Sequence, residues 1–550
     1  MKRTLIFLLA AMLALPVSAR TFKGRILKLD FRLPVEERGG SSMEVGLSGL
    51  SRKSAVSLFD LERALEKAAK DPGIALVFMT PDRLEAGQAT TEEIRASLAR
   101  FRESGKPVIS YSTDFDSRSY YLASVADMVI MNPAGEGDLN GMSNTLFFLK
   151  DALDTLGIRM QLIRHGKYKS AGEMYTRNDI SPENREQYET MLRSAWANRM
   201  EDIAASRGVD AGVLDSLVRH LSLNTAQSWA DNGLVDELGH RDEVEGYLAG
   251  LFQKAAKDLD YVTLEDYAEK LKDGSGDKIA VVFADGSISR DGSDGIVGEK
   301  MARTLAGIRE DKHIKAVVFR VNSPGGEVVA SDLIRREVDL LRKEGKPVIA
   351  SYGDYAASGG YWISSSADRI FCSRSTLTGS IGVFGLIPVF GDAVKKHLKV
   401  NTVTLKTHPH SDAGKGFRML DEEETEAYQK SIERVYDRFV SLVAESRGKT
   451  REEIDAIAQG RVWAGRDAMG IGLVDEFGTL MDAIRYAAGK AGLKNWQTVS
   501  YPIRKKGLKA LIGDDDPAPL VRLPEVMAPL AEYGTAPQIL ARLPYDAIIR

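Results

Sequence analysis

The sequence contains the same short motifs twice, in the same order, and this internal repeat limits the folds open to the chain. The segment GKPVI at 105–109 recurs at 345–349, and GLVDELG at 233–239 recurs as GLVDEFG at 472–478. Matching positions stay 239–241 residues apart along the 550-residue chain. Repetition at a nearly constant offset indicates a tandem duplication of one structural unit.

Within each unit, short β-branched segments alternate with helical ones. The elements predicted for the second unit are strands at 279–283, 316–321 and 347–352 and helices near 297–309 and at 328–341. Long helices, predicted at 182–207 and 421–447, close the two units. This alternation predicts an α/β fold with βαβ crossovers and largely parallel sheets.

The predicted organisation has five parts. They are a signal peptide or short membrane anchor at 1–19, a first unit at 20–270, a linker at 271–277, a second unit at 278–500 and a proline-rich, irregular tail at 501–550.

The N-terminus has the pattern of an export signal. Lys2 and Arg3 precede an uncharged run at 5–17, and a small-residue cleavage pattern ends at Ala19. As a helix this run spans roughly 20 Å, which is short for a bilayer core of about 30 Å. We expect an exported protein at the periplasmic face of the inner membrane, either anchored by this segment or released by its cleavage.

The composition argues against several classes of protein. A net charge of −4 and a pI near 6.1 provide no general basic field for nucleic acid. The single cysteine, Cys372, has no partner for an internal disulfide and follows an apolar run, so we expect a buried, inert thiol.

Three glycine-rich loops distinguish the second unit from the first. They are NSPGG at 322–326, ASGG at 357–360 and TGSIG at 378–382, and the first unit lacks the glycine pairs of the first two loops. Ser380, in the third loop, corresponds to Leu139. Glycine lets the backbone approach a ligand closely and leaves N–H groups free. We predict that Ser380 is a nucleophile at an exposed turn ahead of a helix, the alternative being that these loops are only tight turns.

A lysine shows the reverse pattern. Lys169, in GKYKSAGE at 166–173, corresponds to His410, or to Ser411 if the register slips by one residue. One copy thus holds the serine and the other the lysine. We expect each half to be inactive alone and the site to lie between the copies, formed within one chain or across subunits.

Several of these motifs resemble those of a known family. VNSPGGEV, DYAASGGYW, LTGSIGVFG and GKYKSAGE, together with the repeated GLVDE ends, are similar to those of the signal peptide peptidases of peptidase family S49, in their long duplicated form. The resemblance covers roughly residues 22–500. It implies a ClpP/crotonase-type fold, hydrolysis of signal peptides left in the membrane and a homotetramer. It also assigns the nucleophile to Ser380 and the general base to Lys169.

The implied chemistry sets conditions on the site. A serine hydroxyl needs an adjacent base, and a lysine with its usual pKa of about 10.4 must be desolvated to act as one. We therefore predict that Lys169 is buried, uncharged and near Ser380 Oγ. The oxyanion hole is expected to use N–H groups of Gly325 or Gly326 and of Ile381.

The substrate pocket is less constrained by the sequence. Val383, Phe384, Leu386 and Ile387 either line an apolar pocket for peptide side chains or belong to the core.

Two other functions fit the sequence less well. An acyl-CoA enzyme of the crotonase type disagrees with export, and an inactive scaffold that binds membrane proteins disagrees with the intact Ser380 and Lys169. No zinc-protease, nucleophile-elbow or nucleotide-binding motif occurs, and His408 and His410 lack a third ligand in the sequence pattern. We expect peptide substrates and no cofactor, metal or nucleic acid.

Overall fold

The computed structural model describes residues 21–39, 41–46, 49–271, 274–292, 295–503 and 538–542. The predicted signal segment at 1–19 lies outside these residues, and so does most of the predicted tail.

The elements of the first unit follow one another in the expected alternation. They are β1 Arg25–Asp30, β2 Val35–Glu36, β3 Ser41–Gly46, β4 Gly49–Ser54, β5 Val56–Ser57, α1 Leu58–Lys70, β6 Ile74–Thr80, α2 Gln88–Glu103, β7 Val108–Ser112, α3 Ser117–Ala123, β8 Met128–Met131, α4 Lys150–Thr155, β9 Arg159–His165, α5 Glu173–Thr176, α6 Pro182–Arg207, α7 Ala211–Arg219, α8 Ala226–Asp231, β10 Glu237–Leu238, α9 Arg241–Phe252, β11 Tyr261–Thr263 and α10 Leu264–Glu269.

The second unit has a similar succession of strands and helices, together with a strand from the C-terminal region. Its elements are β12 Lys278–Asp285, β13 Ile288–Ser289, β14 Ile296–Val297, α11 Gly298–Glu310, β15 Ile314–Ser323, β16 Gly325–Glu327, α12 Val328–Lys343, β17 Val348–Ala357, α13 Gly359–Ser364, β18 Arg369–Cys372, β19 Leu377–Gly379, β20 Val383–Val389, α14 Gly391–Leu398, α15 Glu422–Arg447, α16 Arg451–Ile457, β21 Val462–Ala464, α17 Gly465–Gly470, β22 Glu476–Phe477, α18 Leu480–Lys490, β23 Gln497–Tyr501 and β24 Gln538–Arg542.

Each unit contains one large sheet, and six strands follow the same order in both. The order is β11-β1-β6-β7-β8-β10 in the first unit and β23-β12-β15-β17-β18-β22 in the second, with all of these pairs parallel. The second sheet has two further strands, since β19 also pairs with β17 and β21 pairs antiparallel with β19. The predicted duplication and the largely parallel α/β fold are therefore confirmed.

The central strands are buried on both faces, which explains their continuous apolar runs. In β12, Ala280 and Val282 pack into a core with Leu305, whereas Ile279 and Val281 face a second core formed with α18. This two-residue alternation places helices on both sides of the sheet.

A third sheet joins the two units. Its order is β14-β13-β16-β24-β20-β9. The first-unit strand β9 pairs antiparallel with the second-unit strand β20, from Arg159 opposite Val389 to His165 opposite Val383. The strand β24 also shows that the predicted irregular tail contains an ordered, paired segment, because its backbone groups find partners on both β16 and β20.

A buried ion cluster holds the units together. Arg320 on β15 donates to Glu37 at 2.8 and 2.9 Å and to Glu93 at 2.8 and 3.2 Å, and all three residues are buried. Both carboxylates come from the first unit, so the guanidinium fixes one unit against the other.

Candidate active site

Lys169 belongs to the first unit, but its side chain contacts residues of the second unit. The residue follows β9, and pairing of β9 with β20 places the lysine beside the loops of the second unit. Its side chain is fully buried, and Nζ lies 2.8 Å from Ser358 Oγ and 2.9 Å from Ser380 Oγ. Burial holds the pKa of Lys169 well below its usual value. The lysine and the serine chosen from the sequence thus meet within one chain, together with a second serine.

Ser380 occupies a different setting from the one expected. It is fully buried rather than exposed, has a positive φ of 50° and precedes the strand β20 rather than a helix. The expectation of a following helix was wrong because the apolar run at 383–389 pairs along both edges, with β9 and β24. The Ser380 N–H donates to the Arg461 carbonyl at 2.7 Å.

Ser358 is the residue that the sequence comparison missed. It joins β17 to α13 with φ 55° and ψ −114°, a backbone conformation costly for any residue with a side chain. Such strain at a turn between a strand and a helix is found where a hydroxyl must be held at a reaction centre. The available signal was the position of this serine directly before Gly359 and Gly360. Its counterpart in the first unit, Ser117, is also serine, so residue type alone does not distinguish the two copies at this position.

The glycines of two loops create a small space lined by N–H groups. A Cβ on Gly325 would lie 2.1 Å from the Ala541 carbonyl oxygen and 2.7 Å from Gly359 N. A Cβ on Gly359 would lie 2.9 Å from Gly326 N and 3.0 Å from the same oxygen. The N–H groups of Gly326 and Gly359 therefore border one space that already holds a carbonyl oxygen.

Of the three residues predicted to form the oxyanion hole, two border this space. Gly325 and Gly326 border the space, whereas the described contact of Ile381 is the hydrogen bond that its carbonyl accepts from Gly460 N at 2.8 Å. Gly359, which follows Ser358, borders the same space.

The predicted pocket residues divide between two environments. Phe384 and Leu386 share a buried cluster with Leu540 of β24, whereas Val383 and Ile387 pack in the large core of the second unit.

A buried polar network holds the lysine loop in place. Ser170 Oγ donates to Asn184 Oδ1 at 2.8 Å, and Gln187 Nε2 donates to the same oxygen at 2.9 Å. Val462 N donates to Gln187 Oε1 at 3.1 Å, which ties α6 to β21. The neighbouring Tyr168 points elsewhere, since its hydroxyl donates to Glu186 at 2.7 Å.

Known proteins resemble this chain over most of its length. The model of peptidase family S49 matches residues 100–253 and 340–494. Protease 4 of Salmonella typhi is 36% identical over 505 residues, 88% of this chain and 81% of that protein. The chloroplastic serine protease SPPA of Arabidopsis thaliana is 33% identical over 487 residues, 86% of this chain and 70% of that protein.

The chain belongs to peptidase family S49. It is a serine protease. Among solved structures, ClpP1 from Listeria monocytogenes matches 36% of this S49 peptidase and 91% of its own chain, at 18% identity and a TM-score of 0.24.

Other features noted in the sequence lie away from this site. Cys372 is fully buried, and burial raises the pKa of its thiol. His410 Nδ1 lies 3.0 Å from Glu424 Oε1, and that carboxylate also binds Arg418. Within the part of the S49 peptidase that the structure describes, no helix has both the length and the apolar character needed to cross a membrane.

Proposed function

We propose that this S49 peptidase is an endopeptidase in which Lys169 is the general base and Ser358 is the nucleophile. The observation that carries the proposal is the buried turn in which Ser358 Oγ lies 2.8 Å from Lys169 Nζ and the next residue, Gly359, borders the space lined by N–H groups. Burial lowers the pKa of this amine and so favours its uncharged form, which is the form that can accept the hydroxyl proton.

This assignment differs from the sequence-based expectation, which made Ser380 the nucleophile. Both hydroxyls reach Lys169, so the choice rests on the N–H groups that would stabilise the oxyanion. In serine hydrolases one such donor is the N–H of the residue after the nucleophile. Gly359 follows Ser358 and borders the space occupied by a carbonyl oxygen. Ser380, 2.9 Å from Nζ, then acts as a positioning residue that orients the amine.

The proposed reaction has two stages. Lys169 Nζ takes the proton from Ser358 Oγ, which attacks the substrate carbonyl while the N–H groups of Gly326 and Gly359 bind the oxyanion. The protonated amine gives its proton to the leaving nitrogen, and an ester forms on Ser358. Water, deprotonated by Lys169, then attacks the ester carbonyl and releases the acid product, and the proton on Nζ returns to Ser358 Oγ.

We propose apolar peptides as substrates, including signal peptides released during export. The buried cluster of Phe384, Leu386 and Met174 offers an apolar wall to a peptide side chain. The pattern of the first 19 residues supports export and a position at the periplasmic face of the inner membrane.

We also propose that copies of the chain assemble head to tail into a homotetramer. Residues 400–406 correspond to β9 in the repeat but belong to no strand in the described chain. Val403 and Leu405 in this segment are 87% and 91% exposed. Such exposure of large apolar side chains is typical of an interface.

The counterpart of β20 is also unpaired. Residues 142–148 correspond to β20, form no described strand and include Phe147, which is 63% exposed. Pairing of 400–406 with 142–148 of the next copy would repeat the β9–β20 contact and close a ring. Leu405→Glu is expected to lower the mass measured by light scattering, and an unchanged mass would contradict this interface.

Hydrolysis of a synthetic signal peptide tests the assignment of the serines. Ser358→Ala is expected to abolish turnover, whereas Ser380→Ala retains part of it with an altered pH profile, because the amine loses one of its partners. In the wild type, kcat/KM should fall as the pH drops through the lowered pKa of Lys169, since protonated Nζ cannot act as a base. Full activity in Ser358→Ala with none in Ser380→Ala would return the nucleophile to Ser380.

A further inference from the structure

A large pocket lies at the turn of the first unit that corresponds to the turn of Ser358. Its volume is about 1020 Å³. Ser117 and Arg118 line it, and they are the counterparts of Ser358 and Gly359. Neither Ser358 nor Lys169 lines this first-unit pocket, so the duplicated turn borders a different site in each unit.

A buried cation lines the first-unit pocket without an anionic partner among the residues that the structure describes. Arg199 of α6 is only 3% exposed. Its Nη1 and Nη2 atoms donate to Ser117 Oγ and Gln88 Oε1, which are both neutral. Burial and, second, the nearby Arg118 guanidinium lower the pKa of Arg199 to about 10. Because an unpaired buried charge is costly, this pocket favours a ligand that carries a negative charge.

The two side chains joined by one of these hydrogen bonds each keep a donor for a ligand. Arg199 Nε and Gln88 Nε2 are buried, and neither makes a hydrogen bond within the described chain. Buried donors are normally paired, and both of these belong to residues that line the first-unit pocket. A carboxylate has two oxygens and only accepts hydrogen bonds, so it matches a cation and two unused donors.

The pocket's own carboxylates do not neutralise this cation. Asp354 and Asp116 accept hydrogen bonds from backbone N–H groups at the starts of α2 and α3. Glu85 and Asp138 are exposed to solvent. In the described part of the chain, none of the four forms an ion pair or a hydrogen bond with Arg199, so its charge is left for a ligand.

The rest of the lining suits a peptide better than a small ion. Leu84, Met191 and Leu377 give the first-unit pocket apolar walls from both units. Tyr355 also lines it and precedes Ser358 by three residues, about 10 Å along an extended chain. A single apolar peptide can therefore reach from this pocket toward the reaction centre.

We propose that the first-unit pocket binds the C-terminal carboxylate of an apolar peptide, with Arg199 and Gln88 as its donors. That this peptide is a substrate rests on the function proposed above. A released signal peptide has such a carboxylate, whereas the same segment within an uncleaved precursor continues as a peptide bond. The pocket thus selects released peptides over intact precursors.

Titration of a short apolar peptide into Ser358→Ala measures binding apart from turnover. The peptide with a free carboxylate is expected to bind about 10–100-fold more tightly than its C-terminal amide, the usual effect of hydrogen bonds to a charged group. Adding Arg199→Met should make the two peptides bind alike. Adding Arg193→Met, at an exposed position of the same helix, is the matched control and should preserve the difference.

Equal binding of the acid and the amide, or a difference that survives Arg199→Met, would overturn the carboxylate site. Gln88→Leu provides a second variant if Arg199→Met does not fold. It removes the other donor and should reduce the preference for the acid, and an unchanged preference counts against the proposal.

Hydrolysis of the same two peptides by the wild type separates this proposal from the proposed function. The acid should show the lower KM at a similar kcat, because the contact is made equally before and during the reaction. Cleavage of both peptides with equal KM would refute the carboxylate site and leave the proposed function standing. If neither peptide is cleaved, the proposed function fails, and the titration still decides what the pocket binds.

Two further measurements test whether the anion has another source. Inorganic phosphate that displaces the acid peptide at equal concentration would show a general anion site and contradict the assignment to a peptide. A lower mass of Arg199→Met by light scattering would show that the anion belongs to another copy of the chain. The proposal predicts an unchanged mass and no displacement by phosphate.

Discussion

The turn before a short helix occurs once in each unit. In the first unit a side chain caps its N–H groups, so the turn is closed, and in the second unit no side chain does, so the turn is open. In the first unit, the Asp116 carboxylate accepts hydrogen bonds from Arg118 N at 2.8 Å and Ser119 N at 2.7 Å at the start of α3. An acidic cap of this kind satisfies N–H groups that would otherwise lack partners.

The second unit has no such cap. Ala357 stands where the first unit has Asp116, and no side chain caps the start of α13. Ser358 takes a positive φ, and Gly359 has no side chain to fill the space beside its N–H group. The same turn therefore stabilises a helix in one copy and leaves donors for a substrate carbonyl in the other.

Removing the base that faces the open turn should have the largest effect. Lys169→Met is expected to lower the kcat of peptide hydrolysis by about 10⁴-fold or more. Losses of this size are usual when the base that activates a nucleophile is removed. Lys167→Met, an exposed neighbour, is the matched control and should retain activity.

The same substitution should stabilise the fold at neutral pH. The pKa of Lys169 is lower in the folded chain, so the unfolded chain binds more protons and stability is lost below the unfolded pKa of about 10.4. The gain in Lys169→Met, measured by chemical denaturation, should shrink as the pH rises toward that value. A less stable variant at neutral pH would contradict the buried, neutral amine.

Removing the buried cation that joins the two units should have the next largest effect, in this case on the free energy of unfolding. Arg320→Met leaves Glu37 and Glu93 buried without their partner, and loss of one partner in a buried ion pair costs about 3–5 kcal/mol. Lys315→Met, at an exposed position of the same strand, is the control and should change the free energy of unfolding little. Equal stability of the two variants would show that the cluster does not join the units.

Two substitutions at the capping positions, Ala357→Asp and Asp116→Ala, test whether the uncapped turn is needed for activity. Ala357→Asp places a carboxylate near the Gly359 N–H group and should lower activity by about 10²–10³-fold, the usual effect of losing one oxyanion donor. Asp116→Ala should cost about 1 kcal/mol of stability and leave activity unchanged. Peptide hydrolysis and denaturation curves for both variants measure these effects, and unimpaired activity in a folded Ala357→Asp would refute the role of the open turn.

Much of the architecture could be predicted from the sequence because strong local patterns specify it. The helix expected at 182–207 is confirmed with those bounds, since Ser181 caps it, Pro182 begins it and Gly208 ends it in a left-handed conformation. The parallel strands were recognisable because burial on both faces requires continuous β-branched runs.

The parts that were missed depend on contacts distant in sequence. The strand β24 has only five residues and pairs with strands more than a hundred residues away, so no local period identifies it. Ser358 escaped notice because comparing the copies favoured residues that differ, and its counterpart Ser117 is the same residue type with different neighbours. Backbone conformation and the placement of Gly359, rather than residue type, separate the two turns.

Covalent labelling tests the central claim most directly. A fluorophosphonate reacts with the activated serine of a serine hydrolase, and trypsin cleavage after Arg369 and Arg374 places Ser358 and Ser380 in different peptides. The account predicts that the adduct is found on the peptide containing Ser358 and is lost in Lys169→Met. An adduct on the peptide containing Ser380 would contradict it.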